Sequence, residues 1–332
     1  MAPAWQTFGV AERRRAGLAI IVLNFRTPHL VGDCLDTLKG QAGGDVEVLV
    51  VDNASGDGSA AAIGRFIAER GYGDWARLVE SPVNGGFAAG NNVGIRAIDA
   101  DAYLLLNSDT LIRPGAVAGL RRELERTPNA GLIVPEVEDG TGATGRNVFV
   151  TPTPVSELVR GADLGLLSRL LRRHDVVAPL PEGAFDHDWV GFCAVVVPRA
   201  VIDRVGLLDE EYFMYFEDID YCMRVRAAGF VIRTCREARV VHLLGGSSGM
   251  SSAEDERKRA ARFFYESRAR FFAKHYGQAG LLAANVAFVA GHALARARGL
   301  GKARRARVRE ACDVWINALS PFRPYTHPGG RS

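Results

Sequence analysis

The chain has 332 residues, 48% hydrophobic and 24% charged, with a formal net charge of +3. That length fits one large domain or two smaller ones, and that composition excludes a wholly disordered chain. The small positive excess does not support a nucleic-acid partner, and 37 glycines and 14 prolines without a three-residue period exclude a collagen-like rod.

In chain order, residues 18–23 (LAIIVL) form a short apolar run, as expected of a strand buried on both faces. Pro28 then introduces helical spacing over 29–38. Residues 46–51 (VEVLVV) predict a second buried strand, 52–59 (DNASGDGS) a turn, 60–69 a helix and 77–79 a weak strand. The glycine-rich 84–92 (NGGFAAGNN) reads as a loop running into a helix over 93–98. Residues 103–106 predict a fourth strand, and Pro114 opens a helix through 125. This alternation predicts an open, mainly parallel sheet covered on both faces.

Residues 136–188 lack a clean period and predict loops, a hairpin and a short helix over 156–171. A strand at 194–197, a helix at 199–205, a loop at 206–215 and a helix at 218–228 follow. Two short strands are expected at 230–233 and 239–241, then charged helix from 253 and a loose tail over 321–332. The domain reading is a tail over 1–17, a catalytic unit over 18–250 with halves meeting near 135/136, and a helical extension over 251–332.

Five cysteines at 34, 193, 222, 235 and 312, without a CxxC pair, fit a reduced cytoplasmic compartment. Only four of the 41 basic residues are lysines, which reads as the mark of a GC-rich bacterial genome. Residues 1–15 lack a signal-peptide core, and the apolar stretch 281–295, interrupted by Asn285 and His292, is short for a membrane span.

Open parallel sheets bind ligands beyond the carboxyl ends of their strands. Three polar groups fall there: Asn24-Phe25, Asp52-Asn53 and Asn107-Ser108-Asp109. Capping of the next helix explains Asp52 equally well, but three such groups at one edge favour a shared site. Neither the dinucleotide fingerprint nor the P-loop is present. Gly85 and Gly86 fit a tight turn, or a loop whose backbone approaches a ligand with Asn91 and Asn92 as donors. The acidic cluster 209–211 and 217–220 flanks an aromatic run. It fits a desolvated general base or a helix N-terminus offset by acids. His242 gains meaning only beside another ligand such as Asp109.

Taken in order, IVLNFRT (21–27), VDNASGDGS (51–59), NGGFAAGNN (84–92), LLLNSDT (104–110), the run 191–230 and HLLGGSS (242–248) resemble glycosyltransferase family 2. The set looks like the bacterial rhamnosyltransferase-like branch that builds cell-envelope polysaccharide. The resemblance implies a GT-A type α/β fold with a mainly parallel, Rossmann-like sheet and a C-terminal helical extension. It implies inverting transfer from a nucleoside-diphosphate sugar, with dTDP-L-rhamnose as the indicated donor, to a glycan or polyprenyl-diphosphate-linked acceptor. Asn24 and Phe25 would line the base pocket and Asp52, beside Asn53, would bond the pyrimidine. Asn84, Gly85, Gly86, Phe87, Asn91 and Asn92 would border the diphosphate and sugar. Asn107, Ser108 and Asp109 stand where the family has its DxD-like motif, with Asn replacing the first Asp, so Asp109 would be the main ligand of Mg2+ or Mn2+. His242 would approach that metal. Asp218, with Glu217 as runner-up, matches the catalytic base. A nucleotidyltransferase, or a non-catalytic nucleotide-sugar-binding module, is the competing reading.

Residues 296–309 contain seven basic side chains and no acid, directly after the apolar stretch 281–289. Apolar contact beside a basic cluster is a recipe for peripheral binding to an anionic membrane, here expected at the inner face of the cell membrane. A solvated helix packed on the catalytic unit is the alternative. The oligomeric state is not legible.

Overall fold

The computed structural model describes residues 15–162, 171, 176, 186–243, 260–297 and 310–325. At its centre lies an eight-stranded sheet. β1 (Leu18–Asn24), β2 (Val46–Asp52), β3 (Ala76–Glu80) and β4 (Ala102–Asn107) run parallel in the order β3-β2-β1-β4. Beyond β4 the sheet continues with β9 (Ala194–Pro198), β6 (Ala130–Glu138), β10 (Val231–His242) and β5 (Thr110–Ile112). β9 is antiparallel to both β4 and β6, β6 and β10 are parallel, and β5 is an antiparallel edge. The sheet is therefore mixed, with a strand from the second half of the chain inserted at its middle.

The apolar strands lack alternation because both faces are covered. Leu18, Ile20 and Val22 of β1 point to one core with Val48, Val50 and Leu104. That face is closed by α1 (Pro28–Leu38), α2 (Ser59–Glu69) and α4 (Ala116–Arg126). Ala19 and Ile21 point to the other, under α3 (Gly86–Ala97), α6 (Arg199–Val205) and α7 (Glu217–Ala227). In α1, Pro28 takes a first-turn position, and Leu30, Val31, Cys34, Leu35 and Leu38 bury one stripe.

Several expected boundaries shift. The 84–92 segment is mostly helix, because α3 already starts at Gly86. The strands expected at 230–233 and 239–241 are one strand, β10, with a register break between Cys235 and Arg239. In place of the expected hairpin, β7 (Val148–Phe149) pairs antiparallel with β8 (Trp189–Val190) across a long connection that contains the expected short helix, α5 (Pro154–Ala162). The last residues of the expected N-terminal tail are held: Ala16 is buried and bridges Ala100. A long helix, α8 (Arg262–Ala297), breaks at Gly277 and packs along α5. Between these two helices, buried Arg268 bonds Glu157 and Asn285.

Candidate active site

The carboxyl ends of β1, β2 and β4 lie side by side, with Asn24 opposite Asp52 and Leu23 opposite Asn107. A cavity of about 660 Å³ opens beside them. Phe25, Asn53, Asn84, Gly86, Phe87, Asn107, Ser108, Asp109, Glu217, Asp218 and His242 all line it.

The other five expected site residues do not line it. Asn24 is buried and donates to Asp52 Oδ1 (2.7 Å), whose second oxygen accepts the Ser55 N–H (3.1 Å). These two side chains shape the loop after β2 from behind. Gly85 precedes α3 as its cap residue. Asn91 donates to the Phe87 carbonyl within its own helix (2.9 Å). Asn92 donates to the Leu208 carbonyl and Glu210, and its Oδ1 accepts the Leu208 N–H. The earlier start of α3 places both asparagines inside the helix and away from the cavity lining, with their amide N–H groups bonded to protein acceptors.

Asn53 lines the cavity. Its Nδ2 is spent on Asn84 Oδ1 and the Gly86 carbonyl, both at 3.0 Å, while its buried Oδ1 has no partner among the described residues. Arg26 lies over the Phe25 ring at 5.0 Å. Ser108 Oγ meets Thr27 Oγ1 at 3.0 Å.

Asp109 and His242 are far apart in sequence; they meet because β10 runs antiparallel to β5, with His242 opposite Thr110. His242 Nε2 lies 3.2 Å from Asp109 Oδ1, and the Leu243 N–H donates to the Asp109 carbonyl. Among the described residues no group of three or more His, Cys, Asp or Glu converges to hold a metal. The Asp109–His242 pair nevertheless offers one oxygen and one nitrogen donor. That set fits a divalent cation whose remaining ligands are phosphate oxygens and water.

Glu217 and Asp218 open α7 after two residues in left-handed backbone, Tyr215 (φ 68°) and Phe216 (φ 67°). Bulky residues adopt that conformation only when packing enforces it. Phe216 is held by Phe264 and Phe271 of α8, each 5.4 Å away between ring centroids. The strained turn delivers both carboxylates to the cavity. Burial pushes Asp218 up to about 7, and burial with the Asp218 charge pushes Glu217 well above its ordinary value. The Ile219 N–H donates to Asp218 Oδ1 (2.8 Å), and Glu217 Oε2 has no partner among the described residues. Asp220 differs: fully buried, it is held down at about 2 by His275, Arg224 and Lys274.

Reading the sequence missed the aromatic wall formed by Phe149, Trp189, Phe213, Tyr215 and Phe263, and the cavity-lining Arg146. The run 212–216 was visible as aromatic, but Phe149 and Trp189 are 40 residues apart and meet only through the β7–β8 pairing. Residues 244–248 of the HLLGGSS motif lie outside the described residues.

Residues 19–164 match the family model described as Glycosyl transferase family 2. The low-salt glycan biosynthesis hexosyltransferase Agl10 of Haloferax volcanii is 27% identical over 229 residues, 68% of this chain and 66% of that relative. The chain thus spans just under two thirds of that relative's length. The N-acetylglucosaminyl-diphospho-decaprenol L-rhamnosyltransferase of Mycobacterium tuberculosis is 28% identical over 225 residues, covering 63% of this chain and 70% of its own. Among solved structures, the mannosyltransferase PcManGT of Pyrobaculum calidifontis, in complex with GDP-Man and Mn2+, superposes with a TM-score of 0.53 at 18% identity, covering 93% of this chain and 82% of its own. Residues 1–349 of TarS from S. aureus give 0.54 at 14% identity, covering 92% and 79%. These likenesses establish the fold as GT-A.

Proposed function

The chain belongs to glycosyl transferase family 2 through residues 19–164, and from that premise we propose that it moves a sugar, with inversion, from a nucleoside-diphosphate sugar to a hydroxyl of a glycan or lipid-linked glycan. The observation that carries this reading is one cavity holding Asp109 with His242 and, separately, a desolvated Glu217–Asp218 pair. Phe25, Asn53 and Asn84 border the nucleotide end. Asp218 accepts the proton of the attacking hydroxyl, and a carboxylate raised towards neutrality suits that task. One displacement inverts the anomeric carbon without a covalent sugar–enzyme intermediate. Asp109 and His242 would hold Mg2+ or Mn2+, which when bound neutralises charge on the departing diphosphate. The similarity to a rhamnosyltransferase supports dTDP-L-rhamnose as donor and a polyprenyl-diphosphate-linked acceptor in cell-envelope synthesis. Calorimetry with dTDP-, UDP- and GDP-sugars in Mg2+ or Mn2+, followed by product analysis, tests the reading. Release of nucleoside diphosphate supports it, and release of pyrophosphate favours a nucleotidyltransferase.

A cytoplasmic enzyme attached peripherally to an anionic membrane belongs to the same reading. Residues 279–295 contain no Asp, Glu, Lys or Arg. One side of this half of α8 is buried on Leu281, Asn285, Phe288 and His292, while Leu282, Val286 and Leu294 are each about half exposed on the other. Gln278 bonds the Ala318 carbonyl, which brings almost fully exposed Leu319 to the same end. Arg296 begins the basic run, whose residues 298–309 lie outside the described residues. An uncharged outer face followed by clustered positive charge supports docking on an anionic bilayer.

A further inference from the structure

The antiparallel pair β7–β8 places Phe149 directly opposite Trp189, and the two rings stack with centroids 4.5 Å apart and planes at 22°. Both are half-buried and both line the cavity. Trp189 Nε1 already donates to the Val150 carbonyl at 2.9 Å. The indole's only polar atom is therefore spent within the strand pair, and the ring offers the cavity apolar surface.

The strand pair is firmly held. Gly191 and Asn147 bond each other across it through the Gly191 N–H (3.2 Å) and Asn147 Nδ2 (3.1 Å). Tyr276 Oη of α8 donates to the Pro152 carbonyl just beyond β7 (2.8 Å). β8 packs against α7, whose first turn carries Glu217 and Asp218. A base that takes the acceptor's proton must stand on the acceptor's side of the reaction, so the wall continuous with α7 belongs to that side. Glu138 and Arg146 line the same cavity. An outer ring face of this stacked pair, in a cavity that also holds charged groups, matches a pyranose, which has an apolar C–H face and a rim of hydroxyls.

We propose that Trp189 and Phe149 form the platform on which the acceptor sugar ring stacks, positioning its hydroxyl towards Asp218. This rests on the transfer reading above. The test uses full-length protein labelled with 5-fluorotryptophan, with the Trp189 19F resonance identified by its loss in Trp189→Phe. Methyl pyranosides at millimolar concentration should shift that resonance and leave those of Trp75 and Trp315 in place. In transfer assays Trp189→Ala and Phe149→Ala should raise acceptor KM about tenfold, with donor affinity intact and Trp189→Phe recovering most of the loss. No shift with any pyranoside overturns the proposal. So does a shift produced by a nucleoside diphosphate alone, which would make the platform a base-stacking site, or by octanol alone, which would make it an alkyl-chain site. Absence of nucleotide-sugar binding in wild-type calorimetry strikes the transfer reading instead, so the two failures are distinct.

Discussion

The backbone N–H of Phe87 donates to the carbonyl oxygen of Phe213 at 2.8 Å. Through this bond the first turn of α3, beside Asn53 and Asn84, is tied to the loop that leads to Glu217 and Asp218. Gly86 permits it, with φ at +84° and no Cβ to strike the Phe213 carbonyl. Gly86→Ala should destabilise the protein by about 1–3 kcal/mol and lower both donor affinity and turnover. Thermal unfolding and donor calorimetry on one preparation check both effects.

Asp109→Asn keeps the side chain's shape and removes its charge. Transfer should fall about 100-fold or more, since polarisation of a leaving diphosphate is worth several kcal/mol. His242→Ala should weaken the response to added Mn2+ less severely. Activity of the wild type that survives excess chelator would contradict both expectations.

Asp218→Asn should retain donor binding and lose turnover by about 10²–10⁴-fold. With Asp218 as the proposed base, the deprotonated carboxylate is the form required, and wild-type kcat should climb with pH up to and through about 7. Stability runs the other way. With the folded pKa above the ordinary 3.8, the contribution of this group is fully present below 3.8 and lost as pH rises through about 7. Asp218→Asn should therefore be at least as stable as wild type at pH 8, a comparison that denaturant titration makes directly. If Glu217→Gln is inactive and Asp218→Asn is not, the two roles exchange.

Asp220 behaves oppositely to Asp218 although it is two residues away. Its carboxylate is held near 2, so its stabilising contribution is present above 3.8 and is lost as pH falls through about 2. Asp220→Ala removes the carboxylate that His275, Lys274 and Arg224 share, although Lys274 keeps Asp209 and Arg224 keeps the Val205 and Leu207 carbonyls, and should cost about 3 kcal/mol. Chemical denaturation measures the loss.

Leu282→Glu combined with Val286→Glu places charge on the outer face of α8 without touching the cavity. Wild-type protein should sediment with phosphatidylglycerol vesicles, less so at high salt, and the double variant should bind at least about tenfold more weakly. Donor affinity should not change. A concentration-dependent dimer abolished by the same variant would instead assign this face to a second copy of the chain.

Buried strands and their polar ends were legible because continuous apolar runs bounded by turn residues have few alternatives in a sheet covered on both faces. Asp109 and His242 could be singled out separately, but the antiparallel β5–β10 pairing that joins them has no local signature. The placement of Asn91 and Asn92 within a helix is not legible for a related reason. NGGFAAGNN has the composition of a loop, and the helix begins early through contacts with Asn53 and Phe213 that are distant in sequence. The three carboxylates of Glu217-Asp218-Ile219-Asp220 are visible as a cluster. Their division into a raised pair and a lowered partner depends on which cations α8 brings to Asp220.

The position of β9 also governs the order in which the protein can be completed. Ala194–Pro198 fills the gap between β4 and β6, so until it leaves the ribosome both strands present unpaired edges. A nascent chain ending near residue 164, the limit of the family match, would hold the nucleotide-side strands with that gap open. Such a fragment is a candidate for edge-to-edge association rather than an autonomous domain. β10 then joins β6 to β5, so the sheet is complete only after Glu217 and Asp218 have been made.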